Sequence, residues 1–95
     1  MLDNNQIKFV GLVQTCKEQG LKYKTFNDEG MWFTLEIEGI QIKGVCEISP
    51  LKFDCYDGHI FYTHEGNELD VDLKLAEMLI KDHAMQMRMA KILLK

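Results

Sequence analysis

The residue types that could support catalysis are concentrated around one predicted hairpin, which carries Asp54, Asp57, His59, His64 and Glu65. A histidine beside a carboxylate is the usual pair for general acid–base chemistry. Alternation along the strands, however, directs Asp54 and His59 to one face of the sheet and His64 to the other. The sequence also contains no HExxH, GxSxG or glycine-rich phosphate-binding motif. We therefore predict that the protein is not an enzyme and uses no cofactor.

The three cysteines, Cys16, Cys46 and Cys55, are odd in number and have no CxxC spacing. This pattern suggests neither a disulfide framework nor a metal site. Each cysteine falls on the apolar side of its predicted element, where a free thiol behaves as a small hydrophobic side chain. We predict reduced, buried thiols and no bound metal.

Length and composition indicate one globular domain over residues 1–95. Of the 95 residues, 46% are apolar and 27% are charged, and a chain of this size builds one core. No apolar run approaches the about 20 residues that cross a bilayer, and residues 1–5 do not resemble a secretory signal. We expect a cytoplasmic protein, of a cell or of a host, that does not bind membranes.

The N-terminal segment has the signals of a capped helix. Asp3 followed by Gln6 forms a capping box, apolar residues recur at helical spacing from Ile7 to Cys16, and Gly20 suits the position after a helix end. The sequence predicts a helix over residues 4–19.

From residue 21 the apolar period changes to two, which is typical of strands. Asp57-Gly58 is a strong hairpin signal, and we interpret Glu38-Gly39 as a second tight turn. The two predicted hairpins pair Cys55 with Ile60, Phe53 with Tyr62, Ile37 with Ile40, Leu35 with Ile42 and Trp32 with Val45. The predicted fold is α+β: an N-terminal helix, an antiparallel β-meander of about five strands and a long C-terminal helix, with the helices on one face of the sheet. The predicted strands span 21–26, 31–38, 40–48, 51–56 and 59–64.

The segment after the Glu65-Gly66-Asn67 turn has two interpretations. Residues 68–75 alternate and are compatible with a sixth strand, but we favour a helix from about Asp70, because Asp70 and Asp72 suit the positive end of a helix dipole. One face of this helix is predicted to be buried in the core. Its residues are Leu73, Ala76, Ile80, His83, Met87, Ala90 and Leu94. Within it, we expect His83 to be a hydrogen-bonded packing residue.

The C-terminal helix carries a second apolar face, which we call the Met stripe: Leu75, Met78, Met85, Met89 and Ile92. A helix packed on one side of a sheet needs only one apolar face. The first helix could cover the Met stripe, or the stripe could bind a second copy of the chain or a foreign protein. We predict a homodimer that associates through Met78, Met85, Met89 and Ile92.

The sheet face directed away from the helices is predicted to be aromatic and acidic. Its proposed partner-binding residues are Trp32, Glu36, Glu38, Glu47, Asp54, Tyr56 and Phe61. The alternatives are a solvated face and a module that stacks a small ligand or single-stranded nucleic acid on Trp32, Tyr56 and Phe61. Direct nucleic-acid binding is disfavoured, because the surroundings are acidic and Arg88 is the only arginine.

Charge is distributed unevenly along the chain. Residues 27–72 carry a net charge of −9, whereas both ends are basic. We predict a non-catalytic protein-binding protein of the inhibitor, adaptor or chaperone type. Its acids could occupy the basic groove of a nucleic-acid-binding protein, to which long-range attraction would steer it. The preference for lysine over arginine fits an AT-rich genome, which includes those of many phages.

Overall fold

A computed structural model describes residues 3–44 and 46–93, apart from the side chains of Ile42 and Cys46. Within these ranges the chain forms two helices and seven strands. Their bounds are α1 Asn4–Glu18, β1 Tyr23–Asp28, β2 Trp32–Ile37, β3 Ile40–Ile42, β4 Cys46–Ile48, β5 Leu51–Tyr56, β6 His59–His64, β7 Asn67–Val71 and α2 Leu73–Leu93.

Helix α1 is closed at both ends by the residues that the sequence indicated. The Asp3 carboxylate accepts the Gln6 backbone N–H at 2.8 Å, and the Gln6 side chain accepts the Asp3 N–H at 2.9 Å. At the other end Gly20 has a φ of 69°, and the Leu21 N–H donates to the Cys16 carbonyl at 3.0 Å. The predicted capping box and the terminal glycine are confirmed.

The main sheet is antiparallel, in the order β1-β2-β5-β6-β7. The predicted register of the β5–β6 hairpin is confirmed, with Cys55 opposite Ile60 and Phe53 opposite Tyr62. Asp57 and Gly58 both have positive φ values, of 52° and 77°, as a type I′ turn requires. Both helices pack on one face of this sheet, so the predicted α+β architecture is confirmed.

The predicted pairing across Glu38-Gly39 is wrong. Strand β2 pairs with β5, which sets Ile37 opposite Leu51 and Leu35 opposite Phe53, while β3 and β4 form a separate two-stranded sheet. The chain leaves the main sheet at Gly39 and returns directly beside it. A Cβ atom on Gly39 would overlap the Ile48 carbonyl oxygen and lie 2.8 Å from the Pro50 nitrogen. The glycine therefore permits two backbone segments to meet at the base of a hairpin. Val45, the predicted partner of Trp32, lies outside the described residues.

The prediction of a helix from Asp70 is also wrong. Asn67–Val71 is strand β7, which follows a two-residue turn at Glu65-Gly66 and pairs with β6 along its length. Helix α2 begins at Leu73, because the Asp72 carboxylate accepts the Leu75 N–H at 2.7 Å and so caps the first turn. The alternation of side chains from Glu68 to Val71 therefore indicates the structure better than the preference of acidic residues for a helix N-terminus.

The main core lies between the helices and the inner face of the sheet. Phe53, Leu35, Ile37 and Ile60 from the sheet meet Leu12, Cys16, Ala76 and Ile80 from the helices, and all of these side chains are at most 1% exposed. Farther along α2, Ala84, Met87 and Ala90 are also buried, and α2 contacts β4 as well as the main sheet. The predicted core stripe of α2 is confirmed for its described members, although Leu73 is only half-buried; Leu94 lies outside the described residues.

Candidate functional site

The Met stripe lies on the side of α2 opposite its buried face. At 100° per residue, its members fall within one narrow arc that points away from Ala76, Ile80 and Ala84. They are between 43% and 70% exposed: Leu75, Met78, Met85, Met89 and Ile92. Leu93, on the same side, is 74% exposed, and Asp82 is the polar interruption. A helix apolar on two opposite faces normally has a partner on each.

Helix α1 does not cover the Met stripe, so that alternative is wrong. It packs beside α2 on a different side, where a Cβ atom on Gly11 would lie 3.5 Å from the Leu73 side chain. The Arg88 guanidinium, farther along α2, donates to the Gln19 side chain at 3.4 Å. Two apolar side chains of α1 are themselves half-exposed, Ile7 and Val10. The helical layer therefore presents more apolar surface than its own packing uses.

A row of positive charge borders the Met stripe on the side nearer α1. Lys74, Lys81 and Arg88, which we call the basic row, recur every seven residues and are exposed. This places the three charges along one flank of the stripe over most of α2. The basic ends of the chain contribute both helices, and the acidic middle contributes β2–β7. The two layers thus differ in the sign of their charge.

The outer face of the main sheet carries a continuous row of rings. Trp32 on β2 stacks on Tyr56 of β5 with centroids 4.2 Å apart, and Tyr56 stacks on Phe61 of β6 at 4.8 Å. His59 adjoins Phe61 at 5.8 Å. The structure brings together the three aromatic residues that the sequence placed on this face. Much of their ring surface is used in contacts with one another, although Trp32 is still 41% exposed.

Asp54 is a buried carboxylate within this face. It is 2% exposed, and its Oδ1 atom accepts hydrogen bonds from the Trp32 indole N–H at 2.9 Å and the Thr34 hydroxyl at 2.6 Å. The Lys52 ammonium lies 4.0 Å from its other oxygen. A buried carboxylate is tolerated when it is hydrogen-bonded in this way. Asp54 therefore positions the tryptophan and is not displayed as the sequence analysis expected.

The predicted acidic residues do not form one surface. Glu36 lies on the outer face between Lys24 of β1 and Lys52 of β5. Glu38 follows β2 in the loop to the hairpin, and Glu47 belongs to β4 of the separate sheet. The acids that accompany Glu36 on the outer face are instead Asp28, Glu68 and Asp70. This group was not predicted from the sequence, because the sequence patterns placed Glu47 in the main sheet and Asp70 in a helix.

The residues of the candidate acid–base pair are not brought together. The His59 imidazole lies 3.0 Å from the Asp70 carboxylate on β7, while Asp54 is engaged by Trp32 and Thr34. His64 lies 3.9 Å from Glu65 at the adjacent turn. Among the residues that the structure describes, no group of three or more His, Cys, Asp and Glu side chains could hold a metal ion.

His83, on the buried face of α2, has a structural role. The His83 imidazole is 3% exposed and forms a hydrogen bond with the Glu38 carbonyl at 2.8 Å. This bond connects α2 to the base of the β3–β4 hairpin and confirms the predicted packing role of His83.

Burial raises the pKa of the Cys16 thiol to about 12, and burial together with the neighbouring Asp54 charge raises the pKa of the Cys55 thiol to about 11. Both cysteines are free and buried, as predicted, and are protonated at neutral pH. The side chain of Cys46 lies outside the described part of the chain.

Two of the clefts formed by the described residues adjoin β1 and β2. One, of about 430 Å³, lies on the outer face among Phe26, Trp32, Lys52 and Asp54. Phe26, which the sequence analysis did not single out, is 52% exposed there. A larger cleft, of about 540 Å³, separates the β3–β4 hairpin from the first residues of β1 and the end of β2. The outer cleft combines an aromatic wall with a lysine and could receive a small planar group.

Comparison of the chain with protein-family models, with curated protein sequences and with solved structures gives no match. Over the described residues, neither helix combines the length and the hydropathy that a membrane span requires.

Proposed function

We propose that this protein acts without catalysis, by binding another protein through the Met stripe. The observation that carries the proposal is the exposure of the stripe along α2, opposite the buried face of the same helix. With Leu93, these side chains present on the order of 700 Å² to solvent, near the about 800 Å² that each partner buries in a typical stable complex. Methionine side chains adapt to differently shaped partners. Inhibitors, adaptors and chaperones all act in this way.

The basic row supports a partner with acidic residues beside an apolar surface, such as an amphipathic helix with acidic flanks. When two α2 helices pack antiparallel about a two-fold axis, each flank of the Met stripe on one helix lies beside the same flank on the other helix. Lys74, Lys81 and Arg88 would then face the same residues of the second copy, which is unfavourable. The charge pattern therefore favours a foreign partner over the homodimer through Met78, Met85, Met89 and Ile92.

The experiment compares Met85→Glu with Gln14→Glu in affinity capture from a cell lysate. Both substitutions add one negative charge at an exposed helical position, but only the first lies within the Met stripe. We expect a protein captured by the wild type and by Gln14→Glu to be lost with Met85→Glu. Equal capture by both variants would exclude the stripe as the docking surface. Light scattering of the purified proteins tests the homodimer, since a dimer lost only in Met85→Glu would assign the stripe to self-association.

Salt distinguishes this proposal from the acidic-surface mechanism. Binding through the Met stripe should weaken only in part at high salt, because salt screens the attraction of the basic row but not the burial of apolar surface. A partner released by salt and by Glu36→Lys would instead bind the acidic outer face, as a basic nucleic-acid-binding protein would. That outcome would keep the protein-binding function and move it to the sheet.

The outer cleft favours a second candidate function, the binding of a small ligand or of single-stranded nucleic acid. Phe26 and Trp32 are both about half-exposed beside Lys52, and base stacking on such rings is tolerant of sequence. Trp32 is the only tryptophan, so its emission reports on the cleft alone. Titration with nucleotides and oligonucleotides should quench it if this function is correct. Unchanged emission across the panel removes this candidate.

A further inference from the structure

Strand β1 is an open edge of the main sheet. It pairs with β2 along its whole length, and no other described strand lies on its far side. Apart from Tyr23, its residues are exposed, including Phe26 at 52%. The strand contains no proline. The cleft beside the β3–β4 hairpin is lined by β1 only at Tyr23 and Lys24, and residues 25–28 are all exposed. Such an edge can pair with another strand.

The hydrogen-bonding pattern identifies which backbone groups are available on this edge. The Glu38 N–H donates to the Lys22 carbonyl at 3.0 Å. In an antiparallel ladder alternate residues face the partner strand, so Lys24, Phe26 and Asp28 also bond to β2. The N–H and C=O groups of Tyr23, Thr25 and Asn27 consequently point to the open side, and the side chains of Lys24, Phe26 and Asp28 lie on the outer face.

We infer that two copies of this protein associate by pairing their β1 strands antiparallel, in a register centred on Phe26. In this register Thr25 of one copy and Asn27 of the other exchange backbone hydrogen bonds. Phe26 lies opposite Phe26 of the second copy, and Lys24 lies opposite Asp28 of the second copy on both sides of the axis. Aromatic pairs and opposite charges directly across two strands are both favourable. The main sheets would continue into one another.

Other registers and the other edge lack this complementarity. A two-fold axis at Lys24 sets two lysines against each other, and an axis at Asn27 sets Phe26 against Asp28. Strand β7, at the opposite edge, carries Glu68 and Asp70 on the outer face, so two β7 strands centred on either residue would oppose like charges. The paired segment of β1 is short, so we expect the association to depend on protein concentration. It does not involve the Met stripe, which belongs to α2.

Disulfide trapping tests the register. Phe26→Cys places two thiols at a non-hydrogen-bonded pair on the axis, where the short cross-strand distance suits a disulfide. We expect Phe26→Cys to form covalent dimers under mild oxidation and Lys24→Cys alone to form none. Mixing Lys24→Cys with Asp28→Cys should restore the cross-link. The wild type, oxidised in parallel, controls for the native cysteines, of which Cys16 and Cys55 are buried.

A charge exchange tests the same contact without cysteine chemistry. Lys24→Asp should reduce the dimer fraction seen by light scattering at high protein concentration at least several-fold, and the double variant Lys24→Asp/Asp28→Lys should restore it. Circular dichroism verifies that each exposed substitution leaves the fold intact. A wild type that is monomeric at every concentration, or equal cross-linking of Phe26→Cys and Lys24→Cys, would overturn the inference. Met85→Glu should not change the cross-linking, so the result is separable from that for the Met stripe.

Discussion

Asp54 determines how the aromatic row is arranged. Its Oδ1 atom receives both the Trp32 indole N–H and the Thr34 hydroxyl, and this fixes the indole plane against the Tyr56 ring at 4.2 Å. Hydrogen bonds to an ionised group are stronger than those between neutral groups. Because the indole N–H is already bonded, Trp32 offers a ligand its ring face and not its donor.

The substitution Asp54→Ala should lower the free energy of unfolding by about 2–3 kcal/mol, since it removes two hydrogen bonds to a charged acceptor. It should also shift Trp32 emission to longer wavelength as the indole loses its fixed position. Urea unfolding monitored by fluorescence measures both effects. Glu36→Ala, an exposed acid on the neighbouring strand, is the matched control and should change stability by less than about 0.5 kcal/mol. Equal effects of the two substitutions would contradict the role assigned to Asp54.

The buried thiols make stability depend on pH in the alkaline range. The pKa of Cys16 rises from 9.0 to about 12 on folding and that of Cys55 to about 11. Well below pH 9 both thiols are protonated in the folded and unfolded states, so their contribution is constant. Above pH 9 the unfolded thiols ionise first, and each lowers the free energy of unfolding by up to about 1.4 kcal/mol per pH unit.

Urea unfolding of the wild type and of Cys16→Ala/Cys55→Ala between pH 8 and 10.5 tests this dependence. Lysine and tyrosine titrations are common to both proteins and cancel in the difference. The double variant should be less stable at pH 8 and lose less stability with rising pH. Parallel curves would show that the thiols titrate alike in both states.

The site could be predicted from sequence where it depends on local alternation. Strand periodicity placed Trp32, Tyr56 and Phe61 on one face, and helical periodicity separated Met78, Met85 and Met89 from the core. The burial of Asp54 could not be found in the same way. It depends on β2 lying beside β5, a contact between residues distant in sequence that no local pattern encodes.

At the scale of elements, Gly39 has a role that chain flexibility does not explain. Substitution to alanine places a Cβ atom against the backbone of Ile48 and Pro50, and neither segment is a flexible side-chain end. We expect Gly39→Ala to cost about 1–3 kcal/mol, the range for overpacking. Gly11→Ala is the control. Its Cβ atom would make an ordinary 3.5 Å contact with Leu73 within a helix, so it should stabilise the protein by about 0.5–1 kcal/mol. Thermal unfolding of both variants measures the difference, and similar melting temperatures would refute this account of Gly39.

The elements themselves could be predicted wherever turn and cap residues act over a few positions. Helix α1 was predicted correctly from Asp3 and Gly20, and the β5–β6 hairpin was predicted correctly from Asp57-Gly58. The error at Glu38-Gly39 arose because a glycine between two apolar strands is typical of a tight hairpin, while here it allows a close backbone approach. The error at Asp70 arose because the acids suited both a helix start and the outer face of an edge strand.

At the scale of the whole molecule, the basic helical layer and the acidic sheet lie on opposite sides of the core. The basic row and the Met stripe share one side, and Asp28, Glu36, Glu68 and Asp70 lie on the other. A charged partner would therefore meet the two sides in different orientations, and electrostatic steering would select the side before contact. A partner on α2 would leave the outer face and the β1 edge accessible.

The path by which β2 reaches β5 also has a kinetic consequence. The other neighbours in the main sheet are joined by short turns, whereas β2 and β5 are separated by residues 38–50, which form the β3–β4 hairpin. Closing the longer loop costs more entropy before any contact compensates for it. The turns at Glu29-Gly30, Asp57-Gly58 and Glu65-Gly66 should form their hairpins early, and β2 should join β5 late.

Stopped-flow folding of Ile60→Val and Ile37→Val tests this order, because both isoleucines are at most 1% exposed and lose the same methyl group. Ile60 connects β6 with β5 and β7, and Ile37 faces Leu51 across the late contact. Ile60→Val should mainly slow folding, and Ile37→Val should mainly accelerate unfolding. If the two substitutions change the folding rate and the unfolding rate in the same proportion, the five strands assemble together. If the order holds, the β2–β5 contact is the last to form and the first to open when the folded protein fluctuates.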